Sequence, residues 1–230
     1  MRHPSPFKPE SAVNPLPPVV IVPFLIVVAV ELLLAVADAG IFGSDGRMWR
    51  RDAMLAFGFN PQMLDYVLAG RLDPMILKNF VTYVFVNFST MGAIFGIVLL
   101  LALGKFVSEA FSQLSVVAIL LVSTIGGAVV FGLFAPDQAW LSGLYPAAYG
   151  LIGGYTYALW LRFGRGDSRR FQAFQLIGLL MGLQLVFGLL FGAHPAWIAE
   201  LSGFVLGGLT AIVVAPGGWQ ALRRRLQQRG

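Results

Sequence analysis

The sequence predicts an all-α membrane protein, a bundle of six transmembrane helices with a large interfacial loop between the first and the second. Three observations carry that reading. Of 230 residues, 57% are hydrophobic and 12% charged, and the mean hydropathy is +0.78, whereas soluble domains carry roughly a quarter charged residues. Six apolar runs are each about twenty residues long, enough to cross ~30 Å of hydrocarbon at ~1.5 Å per residue. Many of the 27 glycines fall inside those runs, where small side chains let helix backbones approach closely.

The same composition excludes several chemistries. With no cysteine there is no disulfide, thiolate metal site or cysteine nucleophile. The two histidines, His3 and His194, are too few for a histidine metal cluster, so neither a metal nor a cofactor is expected. The net charge of +5 is no nucleic-acid signal, because the basic residues sit in short joints and at the tail, where membrane topology accounts for them. The expected partners are membrane lipid and transmembrane segments of other proteins, not nucleic acid.

Residues 1–18 are polar and proline-rich and read as a flexible arm. The first span, 19–39, exceeds a signal-peptide core in length, and Ala37, Asp38 and Ala39 make a poor cleavage site. Residues 40–78 open with a turn from Gly43 to Arg47. They continue with Met48, Trp49, Met54, Leu55 and Phe57 interrupted by Arg50, Arg51 and Asp52, a pattern too broken to span and suited to the headgroup region. Five further spans follow at 80–103, 114–134, 141–163, 171–191 and 196–215. Their joints are marked by Gly104 and Lys105, by Ala135, Pro136 and Asp137, by Arg162 to Arg170, and by His194 and Pro195.

Six crossings place Arg2, Lys8, Lys105, Arg162, Arg165, Arg169, Arg170, Arg223, Arg224, Arg225 and Arg229 on one side. Both termini are therefore expected in the cytoplasm and the protein in the plasma (inner) membrane. Residues 19–215 form one transmembrane domain, and 216–230 a basic cytoplasmic tail resting on anionic lipid.

Two carboxylates fall inside spans, where each needs a compensating partner. Glu31 in the first reads as a protonated or hydrogen-bonded group turned into the bundle, with Gln175 and Gln184 as candidate partners. Glu200 lies on the last span one turn before Gly203. That span pairs Gly203 with Gly207 on one face, and the fourth span gathers Ser142, Gly143, Ala147, Ala148, Gly150 and Gly153, so the two are expected to pack closely.

At these residues the chain resembles the rhomboid family of intramembrane serine proteases. Gly143, Tyr149, Gly150 and Gly153 are similar to the family's fourth-helix signature, and Glu200, Gly203, Phe204 and Gly207 to its sixth. The stretch 82–96 resembles the second helix, and Trp49 with Arg50 a tryptophan–arginine pair in the first outer loop. The resemblance covers about residues 19–215. It implies a rhomboid-like six-helix bundle, with a serine nucleophile on the fourth helix, a histidine base on the sixth, and oxyanion-holding side chains on the second. Those positions are here Tyr145 (followed by Pro146), Glu200, and Gly92 with Gly96.

A serine dyad needs a base within ~3 Å of the hydroxyl and donors aimed at the oxyanion. Tyr145 is a bulky phenol, Pro146 has no N–H, and Gly92 and Gly96 offer no side-chain donor. No catalytic residue is therefore assigned. A phenol–carboxyl hydrogen bond between Tyr145 and Glu200 is expected, with Tyr149 packed alongside; the alternative has Glu200 reaching the outer interface and water.

The resulting reading is a rhomboid-like pseudoprotease that binds client transmembrane segments and alters their fate. Tyr145, Tyr149 and Glu200 are the candidate contacts, with a small-residue face at Gly178 and Gly182 beside the fifth helix. The alternative is an intramembrane serine-type endopeptidase with a displaced site, drawn from Ser142 and His194. A carrier or channel is disfavoured by the lack of paired charges or broken helices in corresponding halves.

Overall fold

The computed structural model describes residues 16–46, 48–162, 174, 175, 178, 179 and 194–215. Most of the N-terminal arm, most of the fifth predicted span including Gly182 and Gln184, and the basic tail lie outside the described residues.

The first helix, α1 (Pro18–Asp38), opens on Pro17 and Pro18, which suit a helix start because the first N–H groups have no intrahelical acceptor. Its buried residues Val20, Val27, Glu31, Leu34 and Ala37 recur at helical spacing and form one stripe turned to the bundle. That stripe carries Glu31 inward.

Four short helices follow: α2 (Gly43–Gly46), α3 (Trp49–Phe57), α4 (Pro61–Leu68) and α5 (Pro74–Leu77). Asn60 and Asp73 cap the last two by accepting from the N–H groups of Met63 and Met75. The end of α3 is tied down by later residues. Lys78 donates to the Ala56 carbonyl, Thr82 to Phe57 at 2.9 Å and Asn79 to Gly58, so the exposed carbonyls of a helix end find donors, one of them cationic.

The second long helix begins later than the apolar run suggests. Residues 79–85 form α6 (Asn79–Thr82) and a 3-10 turn (Tyr83–Phe85), Val86 is extended, and only then does α7 (Thr90–Ala110) start. The apolar residues there are buried without being helical. Phe80, Tyr83, Val84 and Val86 are all buried, and Phe80 stands edge-on to Phe59 at 4.8 Å. Ser89 caps α7 by accepting from the N–H of Gly92 at 3.1 Å.

Next come α8 (Gln113–Phe134), α9 (Tyr145–Arg162) and, after the fifth predicted span, α10 (Trp197–Val214). Among the described residues four helices, α1, α7, α8 and α10, are long and apolar enough to cross a membrane. The tyrosines and glycines of α9 dilute its apolar character, yet it holds the centre, packed by α7, α8 and α10. The chain reaches α9 through a pinned turn: Phe59 and Leu141 exchange both backbone hydrogen bonds at 3.0 and 2.8 Å, and the Gly143 N–H donates to the Tyr83 carbonyl at 2.9 Å. Gly143 sits at φ +96, a conformation costly for a residue with Cβ, so α9 starts at Tyr145 instead of at the head of the apolar run.

Candidate functional site

The small residues of α9 and α10 bring the two backbones into contact. A methyl placed on Gly203 would strike the Pro146 carbonyl, one on Gly207 the Gly150 carbonyl, and one on Gly153 the Phe204 carbonyl. Only a side chain of hydrogen is accommodated at each, as in close-packed membrane helices. Helix α7 comes close to the residue before α9 through a looser contact, since a methyl on Gly96 would lie 3.2 Å from the Leu144 Cβ.

Three polar side chains meet where these helices converge. Glu200 and Tyr149 are buried, at 5% and 2% exposure, and joined by a side-chain hydrogen bond. Tyr145 lies within electrostatic reach of Glu200, but its hydroxyl donates to the Gly92 carbonyl on α7 at 3.1 Å. The phenol that bonds the carboxyl is thus Tyr149, one turn further into α9, and not Tyr145. The reason is directional. Side chains at 145 and 149 share a helix face, and with Gly92 bare, the outer ring meets α7 while the inner one faces α10. Burial of Glu200 also removes the alternative in which it reaches the interface.

Beside the turn at Gly143, two buried polar atoms, Asn87 Nδ2 and Ser142 Oγ, have no hydrogen-bond partner among the described residues. Asn87 lies against the turn, its Oδ1 3.0 Å from where a Gly143 side chain would begin. The His194 side chain lies at the surface, its Nδ1 accepting from the Ala196 N–H at 3.2 Å and its ring edge-on to Phe88 at 5.5 Å, and partial desolvation lowers its pKa. Neither group of the displaced pair is a hydrogen-bond partner of the other.

A second polar constellation was not legible in the sequence. Glu31 is met by Arg50 of α3: Nη2 to Oε1 at 2.7 Å, Nη1 to Oε2 at 3.2 Å. Arg50 also reaches Asp38 at 2.7 Å and the Asn87 carbonyl at 3.0 Å, and the Thr90 hydroxyl donates to Glu31 at 2.7 Å. Burial opposes the charge on Arg50, but Glu31 and Asp38 outweigh it and raise its pKa. Glu31 therefore sits in a bidentate pair. Gln175, the described one of its two expected partners, is exposed. Among the described residues no group of acidic or histidine side chains is disposed to hold a metal.

Comparison with known families gives one match: the model described as Rhomboid domain covers residues 76–217. No curated protein matches the chain. The matched segment takes in α7 to α10 and the Tyr145–Tyr149–Glu200 cluster. It leaves out α1 and the Trp49–Arg50 pair, whose arginine serves here as the counterion of Glu31 and Asp38.

Proposed function

This chain belongs to the rhomboid family and is an integral membrane protein, and from that premise we propose that it binds transmembrane segments of client proteins and alters their fate without cutting them. The observation that carries the reading is the Tyr145 hydroxyl on the Gly92 carbonyl. At the position the resemblance gives to the nucleophile, the Tyr145 hydroxyl proton is given to a backbone carbonyl, not to a base. Glu200, at the place of the base, is bonded to Tyr149, and Pro146, Gly92 and Gly96 supply no oxyanion donor from the positions expected to do so.

In this reading the fold is the family's six-span bundle with an interfacial loop at 40–78. Residues 1–18 and 216–230 are cytoplasmic ends in a plasma (inner) membrane. Clients approach beside the fifth span, where Gly178 has no described atom within 4 Å of the place a side chain would occupy; Gly182 would extend that face. One observation favours the second reading, a serine endopeptidase with a displaced site: Ser142 carries a buried hydroxyl with no partner among the described residues.

The two readings separate with a fluorophosphonate probe. Client binding without cleavage predicts no labelling of the purified protein, together with photocrosslinks to other membrane proteins in native membranes. Labelling that disappears in Ser142→Ala would establish the endopeptidase instead.

A further inference from the structure

The end of α1, helix α3, the extended residues before α7 and the loop before α9 line an open pocket of about 440 Å³, within the size range of small-molecule sites. Its depth follows from Arg50, which lies in its wall and holds both Glu31 and Asp38. Those two residues are two turns apart at the end of α1, so α3 lies beside the last ~10 Å of a spanning helix, where glycerol and headgroup meet the acyl region.

At that depth the wall has two characters. Met54, Leu55, Phe88 and Trp140 supply an apolar and aromatic surface, with Leu55 and Phe88 about half exposed at 50% and 47%. Beside them stands Arg51, exposed and without a hydrogen-bond or ion-pair partner among the described residues. Its neighbour Arg50 is fully committed to Glu31 and Asp38, so of the two guanidiniums lining this pocket Arg51 is the one left to bind a ligand. A planar guanidinium takes phosphate oxygens two at a time, and an apolar wall directly beside it suits the chain attached to that phosphate.

We propose that this pocket seats a phospholipid, its phosphate on Arg51 and the start of one acyl chain along Met54, Leu55, Phe88 and Trp140. Arg50 and Arg51 together balance Glu31 and Asp38, so the pocket carries no net charge. Recognition rests on phosphate geometry and apolar fit, and the preference for anionic over zwitterionic headgroups is modest.

The test uses the full-length protein in phosphatidylcholine vesicles doped with a phosphatidylglycerol bearing a diazirine in one acyl chain. Adducts are mapped by mass spectrometry. Leu133 and Phe134, exposed at 56% and 72% at the end of α8, report ordinary lipid contact. Adducts are expected to concentrate on the peptides with Met54, Leu55 and Trp140. Arg51→Gln should lower them several-fold without changing those at Leu133 and Phe134, and Arg51→Lys, which keeps the charge but not the planar fork, should restore only a minor part of the loss. Pocket labelling no stronger than at Leu133 and Phe134, or unchanged in Arg51→Gln, overturns the proposal. So does a photoreactive transmembrane peptide that labels the pocket where the lipid does not.

Discussion

Glu31 lies two turns from the end of a spanning helix; a lone charged side chain costs about 2.5–3.5 kcal/mol at a helix centre on insertion scales and less toward the end. Arg50 removes that cost, and both side chains are nearly enclosed, at 8% and 12% exposure. Removing one partner of such a pair strands the other, so Glu31→Gln or Arg50→Gln should each lose about 3–5 kcal/mol in chemical unfolding from detergent. The double variant should lose clearly less than the sum; additive losses would contradict the pairing. The cluster between α9 and α10 makes a smaller claim. Tyr149→Phe takes a hydrogen bond from the buried Glu200 and should lower stability by about 1–3 kcal/mol, more than Tyr145→Phe, whose ring is only half-buried. Equal effects would contradict the assignment of the bond to Tyr149. Sequence located Glu31 and Glu200 as the residues needing an explanation, because a charge in an apolar run stands out. It could not supply the partners. Arg50 lies nineteen residues beyond Glu31, across a turn whose course depends on how α3 is pinned at Ala56 and Phe57.

At the scale of elements, the contact of α9 with α10 is decided by which glycines have a carbonyl opposite them. Gly207 faces the Gly150 backbone, whereas the nearest atom to a methyl on Gly208 would be 3.6 Å away, an ordinary contact. Gly207→Ala should therefore destabilise by about 1–3 kcal/mol through overpacking. Gly208→Ala should be neutral or gain up to about 1 kcal/mol from helix propensity. Thermal denaturation of the two variants side by side checks this, and equal shifts would contradict the close approach. The ends of α1, α8 and α10 were legible to within about a residue, because hydrophobic length and helix length coincide there. They part company at 80–89, where Phe80, Tyr83 and Val84 are apolar for burial around Phe59 and not for spanning. The local signal that α7 starts at Ser89 is a capping serine, which an apolar window of twenty residues overrides. The same confusion extended α9 back to 141, although Gly143 and Pro146 both belong at a helix start.

For the whole molecule, the glycine pattern and the order of apolar runs made a rhomboid-like membrane bundle readable from sequence, and the family match over 76–217 agrees with it. The loop 40–78 was readable only as too polar to span; that it is latched to α1 by Arg50 and to the start of α9 by Phe59 and Leu141 depends on long-range pairing. The central proposal is that this rhomboid-family bundle, with Tyr145, Glu200, Gly92 and Gly96 at the positions the resemblance gives to attacking and oxyanion-holding groups, binds clients without cutting them. The most direct measurement is the intact mass of a transmembrane substrate, carrying a photocrosslinker within its span, after incubation with the pure protein in vesicles. The account predicts crosslinked adducts and an unbound substrate of unchanged mass. Two fragments that add up to the substrate plus water, and that vanish when Ser142 is changed to alanine, would contradict it.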